Sequence, residues 1–349
     1  MSTLRDKRRE KLADSRRSED KKTRMTVLVA LAANLVIALA KALGGLFAGS
    51  PALLSEAAHS VADSMNEIFL LASLRRSRKA PDAEHPFGYG KERFFWSLLA
   101  AVGIFVMGGC FSFYQGISAM SSGSSESLDG YVAGLVVLGI ALLAEGTSLL
   151  KALHQLRGHA RRNGRGMIAQ LRAGTDPALR TVLAEDGTAC LGVLVAAAGM
   201  GLHMATGDIV YEAWASLLIG VLLVYVAYRL GRENRDQLIG VALDPVLRQE
   251  IHTFLDEQPE IDTVTTLLTM RLGMDSTLVA ARVDLIGGLD SEEVEEVSER
   301  IKNAMEGAWP MVDQIFLDIT EATVEDRRRA RRERRELDAA VEAVADNSG

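Results

Sequence analysis

Residues Ser50 to Glu67 read Ser-Pro-Ala-Leu-Leu-Ser-Glu-Ala-Ala-His-Ser-Val-Ala-Asp-Ser-Met-Asn-Glu. Small and apolar residues dominate this stretch, yet His59 and Asp63 stand four residues apart inside it. On a helix that spacing puts both side chains on one face, one turn apart. The run lies within a segment, Ala52–Leu74, long and apolar enough to cross a bilayer core of roughly 30 Å. Ionisable groups at membrane depth cost roughly 2.5–3.5 kcal/mol each on insertion scales and mark a pathway or a site by default. An imidazole and a carboxylate together suit Zn²⁺ or another first-row divalent ion. On this helix alone, a pair of metal ligands and a polar clasp between helices are equally good readings.

The rest of the chain supplies the membrane context. Its averages are ordinary: 349 residues, 48% hydrophobic, 24% charged, mean hydropathy +0.11. The averages hide long uncharged stretches between Thr26 and Leu230. Six spans are expected: Thr26–Ala48, Ala52–Leu74, Phe94–Met120, Gly130–Leu153, Ala178–Ala205 and Ile209–Leu230. The turns Gly49-Ser50-Pro51, Ser121–Asp129 and Thr206-Gly207-Asp208 carry no Lys or Arg. The opposite loops hold Arg75, Arg76, Arg78, Lys79, Lys91 and Arg93, then Arg157, Arg161, Arg162, Arg165 and Arg172, then Arg229, Arg232 and Arg235. Basic loops stay on the cytoplasmic side, so both termini are expected there. The Lys- and Arg-rich residues 1–24 fit that orientation better than a nucleic-acid arm, although the whole chain has a net charge of −7. The apolar run Met25–Phe47 exceeds the h-region of a signal peptide and is read as a retained span. Cys110 and Cys190, both in apolar helices, form no disulfide framework or CxxC knuckle and are read as buried packing.

Beyond Leu238 the character changes. Pro245–Glu257 has amphipathic helical spacing, and Asp262–Met270 and Thr277–Ile286 read as strands. Ser291 opens a second helix in a capping pattern, and Asp313–Thr320 alternates as a last strand. The expected division is a basic tail over 1–24, a six-helix transmembrane domain over 25–232, a small α+β cytoplasmic domain over 238–320 and a charged tail over 321–349. That tail, with Arg327 to Arg335 almost all charged, is expected to be an exposed helix or disordered.

A second acidic pair, Glu185-Asp186, lies in the fifth span among Val182, Leu183 and Cys190-Leu191-Gly192-Val193. Adjacent carboxylates in lipid call for a cation, which tips the balance toward a metal site. The stretches Ser50-Pro51-Ala52-Leu53-Leu54-Ser55-Glu56-Ala57-Ala58-His59-Ser60-Val61-Ala62-Asp63 and Glu84-His85-Pro86-Phe87-Gly88-Tyr89-Gly90-Lys91-Glu92-Arg93 resemble the cation diffusion facilitator family of divalent-metal transporters. The resemblance runs from about Thr26 to Thr320. It implies a homodimer that exports Zn²⁺ or a similar ion in exchange for protons. It also implies a tetrahedral site between the second and fifth spans and a ferredoxin-like cytoplasmic domain serving dimerisation. Carried over by position, His59 and Asp63 form the second-span pair, and Asp186, followed by Gly192, is the fifth-span acid.

One position departs from the pattern. Val182 stands where the family places a His or Asp, four residues before the acid. Glu185 is the first substitute as fourth ligand, though its side chain lies about 100° around the helix from Asp186. Glu145, Asn34 and a water are the alternatives. The adjacent Glu-Asp resembles a subgroup that includes mitochondrial-type zinc transporters. Zn²⁺ is the expected cargo, with Mn²⁺, Fe²⁺ or Co²⁺ admitted by oxygen-rich coordination, and no resident cofactor is expected.

Several polar residues remain. In the loop after the second span Asp82 and His85 match an additional metal site of relatives, but Tyr89 replaces a His, so a structural turn at Pro86, Gly88 and Gly90 is favoured. His252 is the only soluble-domain histidine, and Asp318 stands where relatives often place a His. The segment Gly158–Arg172 is basic, without the His-rich character of some zinc transporters. His154, His159 and His203 are read as interfacial residues near helix ends. Lys41 is expected to snorkel or pair, Glu145 to serve the ion path or bond another helix, Glu56 and Glu67 to line the approach, and Gly103, Gly108 and Gly109 to permit close packing. A non-transporting metal-binding scaffold is the alternative function. An intramembrane metallohydrolase lacks its HExxH helix, and an ATP-driven pump lacks its P-loop. A bacterial plasma membrane is the expected location.

Overall fold

A computed structural model of the protein describes residues 25, 28–29, 31–121, 128–162, 166–167, 177–274 and 276–346. The basic amino-terminal stretch, half of the expected loop between the fourth and fifth spans, and the side chain of Val182 lie outside the described residues. The described residues divide into two compact units, one holding the apolar helices and one holding the carboxyl-terminal sheet together with the segment Arg76–Phe94.

The helical unit is assembled from α1 (Leu31–Ala48), α2 (Pro51–Arg76), α3 (Glu92–Gly103), a π-helical segment Ile104–Cys110, α4 (Phe111–Ser121), α5 (Leu128–Arg162), α6 (Pro177–Thr206) and α7 (Val210–Ile239). Helix α3, the π segment and α4 form one continuous rod, Glu92–Ser121. Five described helices are long and apolar enough to cross a membrane. Helix α2, at 26 residues, is about 39 Å long, but it carries Glu56, His59, Asp63 and Glu67. Both α5 and α7 continue well past the apolar stretch expected of them, to Arg162 and Ile239.

Local chemistry explains the turn that launches α2. Gly49 adopts φ +66°, a left-handed helix stop open to glycine at no steric cost, and the Ser50 N–H returns to the Gly45 carbonyl at 3.0 Å. Ser50 then caps α2 by accepting the Leu53 N–H at 3.2 Å, and Pro51 takes the first helical position, where no N–H is needed. Leu53, Ala62, Ile104, Leu138, Val193, Met200, Ile219 and Leu223 form the core of the bundle. Gly108 and Gly109 lie against Leu223 and Val224 of α7, where an added Cβ would come within 2.8 Å of each. Close packing is therefore the role of these glycines. Cys190 is buried as expected; Cys110 is exposed, on a helix surface shared with Phe105 and Val106.

The second unit follows the expected order of helix, strand, strand, helix, strand. These are α8 (Pro245–Asp256), β1 (Ile261–Arg271), β2 (Thr277–Leu285), α9 (Ser291–Ala308) and β3 (Val312–Ile319). Strands β1 and β2 are antiparallel, with Val264 opposite Val283, whereas β2 and β3 are parallel, with Ala281 opposite Leu317. A parallel pair needs a crossover, and α9 supplies it. Val279, Ala281 and Val283 alternate onto one face of β2 and meet Ile251 and Leu255 of α8 and Val297, Ile301 and Met305 of α9. The cap of α9 is Asp290, one residue before Ser291, in a reciprocal capping box with Glu293.

The charged tail is a helix, α10 (Val324–Asp346), and it is not free of the domain. Ala330 and Leu337 are buried beside Arg248 and His252 of α8 and Thr265 of β1. Arg327 bridges Asp262 and, at 2.6 Å, Asp284, and Gln249 donates to Asp338 at 2.8 Å. Only the outward side of this helix is the solvated charge run that the composition suggests.

Candidate metal site

Helices α2 and α6 carry the four residues singled out from the sequence. His59 is buried, with Nε2 3.5 Å from Asp63 Oδ2 and Nδ1 3.8 Å from Glu56 Oε1. The ring thus stands between two carboxylates of its own helix, one a turn above and one a turn below. Asn66, three residues past Asp63, donates to Glu185 Oε1 of α6 at 3.2 Å. This contact draws Glu185 toward α2. Asp63 is half-buried and Glu185 exposed, so the crevice between the helices is accessible at their level. Gly192 explains the close approach about two turns further along α6: a Cβ there would overlap Glu56 Oε1 and sit 3.7 Å from His59 Nδ1.

Deeper in the bundle Lys41 of α1, 1% exposed, donates to Glu56 Oε2 at 2.9 Å and to Glu145 Oε1 of α5 at 3.1 Å. Lys41 therefore pairs and does not snorkel. Asn34 donates to Glu67 at 2.9 Å, which commits it to that acid. Four carboxylate oxygens around these residues, Glu56 Oε1, Glu67 Oε2, Glu145 Oε2 and Asp186 Oδ2, are buried with no hydrogen-bond partner among the described residues. Such acceptors normally find a partner. Among the described residues no three His, Cys, Asp or Glu side chains converge as ligands to one ion. His59 and Asp63 are together; Glu185 and Asp186 have not closed on them.

Comparison with known proteins decides the family. Residues 27–239 match the cation efflux transmembrane domain. The chain belongs to the cation efflux family. Its relatives include the human protein named proton-coupled zinc antiporter SLC30A9, mitochondrial, 32% identical over 261 residues, which are 75% of this chain and 46% of that protein. Metal tolerance protein C4 of Arabidopsis thaliana is 36% identical over 238 residues, 68% of this chain and 52% of its own length. The manganese efflux system protein MneP of Bacillus subtilis is 23% identical over 298 residues, 85% of this chain and 95% of MneP. The chain thus spans about half the length of the first two. Family membership and the apolar helices make it an integral membrane protein.

Other polar residues of this cation efflux protein are engaged locally. Asp82 accepts from the backbone N–H groups of His85 and Glu84 at 2.8 and 3.2 Å. Its other oxygen accepts from Lys79 Nζ and Tyr89 Oη, both at 2.7 Å. Those bonds hold the Asp82 carboxyl well below its usual range, Lys79 contributing most, and raise the Lys79 ammonium in turn. A carboxylate so occupied serves a structural turn, in which Gly88 takes φ +78°. Asp318 likewise accepts from Arg282 Nε at 2.6 Å, which depresses its pKa.

The sequence reading missed one cluster. His203 is not an interfacial side chain; it is buried, with Nδ1 2.7 Å from Glu212 Oε1 of α7 and Nε2 2.9 Å from the Tyr131 hydroxyl of α5. Ser50 donates to the other Glu212 oxygen. A carboxylate acceptor implies Nδ1–H on His203, leaving Nε2 to accept from Tyr131. Glu212, nine residues after His203 and across the α6–α7 turn, was the available signal.

Proposed function

We propose that the protein exports a divalent metal cation, Zn²⁺ first among them, in exchange for protons by alternating access. The supporting observation is the buried His59 with Asp63 3.5 Å from its Nε2, together with Asp186 Oδ2 of α6, buried and without a hydrogen-bond partner among the described residues. Removing carboxylates from water without a compensating charge is strongly unfavourable, and a dication is the ligand that meets several at once. His59, Asp63, Asp186 and Glu185 are the proposed ligands, Glu185 standing in for the residue lost at Val182. Zinc- and manganese-named relatives support the ion class.

In the proposed cycle the cation enters the crevice at Asp63 and Glu185, the accessible level of α2 and α6. The opposite end, where α2 begins, is closed by the buried Ser50–Glu212–His203–Tyr131 contacts, which must part for release. Metal binding requires deprotonated ligands, so protons arriving from the far side compete the ion off. One dication out against one proton in moves a net positive charge outward, opposed by roughly 2.3 kcal/mol per 100 mV of inside-negative potential. The residues 25–232 would form the six-span transport domain and 238–320 a ferredoxin-like domain serving a homodimer. The α8–β1–β2–α9–β3 order supports that assignment. We place the protein in a bacterial plasma membrane with both termini cytoplasmic.

Flux of Zn²⁺ and Mn²⁺ into vesicles holding the purified protein, with and without a pH gradient, tests the proposal. Asp63→Ala and Asp186→Ala are expected to abolish metal-driven proton movement; retained flux in both would refute the site. The absent ligand at Val182 also permits a non-transporting metal-binding scaffold, which would bind Zn²⁺ through His59 yet show no flux.

A further inference from the structure

We propose that Glu56, anchored by Lys41, is a positioning residue that fixes the tautomer of His59 and so presents Nε2 to the cation. Its oxygens are used asymmetrically. Oε2 accepts from Lys41 at 2.9 Å, while Oε1 is buried without a hydrogen-bond partner among the described residues and faces His59 Nδ1 at 3.8 Å. That separation exceeds hydrogen-bond range, but both groups are on one helix, three residues apart, and a small ring rotation closes it. Gly192 itself presents no side chain to this side of the ring, where a Cβ would overlap Glu56 Oε1 and lie 3.7 Å from Nδ1. On the other side Nε2 already points to Asp63 at 3.5 Å. A proton on Nδ1 gives Glu56 Oε1 its missing donor and leaves the Nε2 lone pair beside Asp63. Histidine ligands of metals commonly donate their second N–H to such a carboxylate, and losing it typically lowers metal affinity 10–100-fold. Lys41 also draws on Glu145, so the orientation of His59 is tied to α1 and α5.

The inference rests on His59 being a transport ligand, and its test separates the two claims. In the metal-free full-length protein, ¹⁵N-histidine NMR at a pH where the ring is neutral should report a protonated Nδ1 on His59, the signal being assigned by its loss in His59→Asn. An Nε2–H tautomer in the wild type would overturn the proposal without any Glu56 variant. Equilibrium Zn²⁺ binding to the purified protein should weaken about 10–100-fold in Glu56→Gln, whose amide can donate to Nδ1 and stabilise the wrong tautomer, and Glu56→Asp should recover part of the loss. Wild-type affinity in Glu56→Gln, with His59→Ala unable to bind, would sink the positioning role alone. Wild-type affinity in His59→Ala would sink the ligand assignment with it.

Discussion

A lysine in a membrane span persists only if its charge is met, and Lys41 is met by two acids, Glu56 and Glu145. Removing one member of a buried charged group costs on the order of 3–5 kcal/mol because the partners are left uncompensated. Lys41→Met should therefore lower the melting temperature of the purified protein sharply. Adding Glu56→Gln and Glu145→Gln should restore most of the loss, as a neutral set needs no counter-ion; failure to recover would mean that Lys41 acts through packing alone. Gly192→Ala addresses the same place from α6. Its Cβ would overlap Glu56 Oε1, and overpacking of this kind costs about 1–3 kcal/mol. Weakened Zn²⁺ binding is expected alongside reduced stability, since the side chain displaced is the one beside His59. Of these residues His59, Asp63 and the acids were legible in the sequence, because a charge in an apolar run stands out. Who pairs with whom was not: Lys41 and Glu145 are 104 positions apart, and no periodicity links them.

At the scale of elements, two contacts between distant segments are open to test. Glu212 binds His203 and Ser50, tying α7 to α6 and to the start of α2. Truncation in Glu212→Ala leaves a buried imidazole and hydroxyl without their acceptor, a loss of about 3 kcal/mol or more. Thermal unfolding in detergent should show it, and Glu212→Gln should lose less because the amide oxygen still accepts. The turn after α2 gives the second test. An added Cβ at Gly90 would collide with the Leu272 carbonyl and approach Gly273 Cα to 2.9 Å. Gly90→Ala should thus destabilise by about 1–3 kcal/mol, while Glu84→Ala in the same loop should be nearly silent. The Gly-rich pattern there was visible as a turn; that its glycine is needed by a strand end far along the chain was not.

For the molecule as a whole, the carboxyl-terminal unit makes stability depend on pH. His252 is held below its ordinary value of 6.5, first by burial, which disfavours the charged form, and then by the Arg334 cation. Asp256, 3.2 Å from its Nδ1, is itself bound by Arg334. A group depressed in the folded state takes up its proton first in the unfolded state. Its contribution is therefore complete above pH 6.5 and shrinks as pH falls below that value. Melting curves of the full-length protein from pH 5 to 8 should show this slope, and His252→Gln should flatten it. Arg327→Met should lower the same transition by leaving the buried Asp284 without its cation.

The amino-acid sequence by itself determined that this is a membrane protein with His59 and Asp63 facing one way on one helix, and that a small α+β unit follows. Those properties depend on local composition and on spacings of two and four residues, which any single chain displays. Only the tertiary structure decided that Lys41 joins Glu56 to Glu145, that His203 is sealed in with Glu212 and Ser50, and that the charged tail packs by Ala330 and Leu337. Each of these is a pairing between segments brought together by packing. A buried charge announces that it needs a partner, but which partner it meets depends on how the helices and strands are arranged around it.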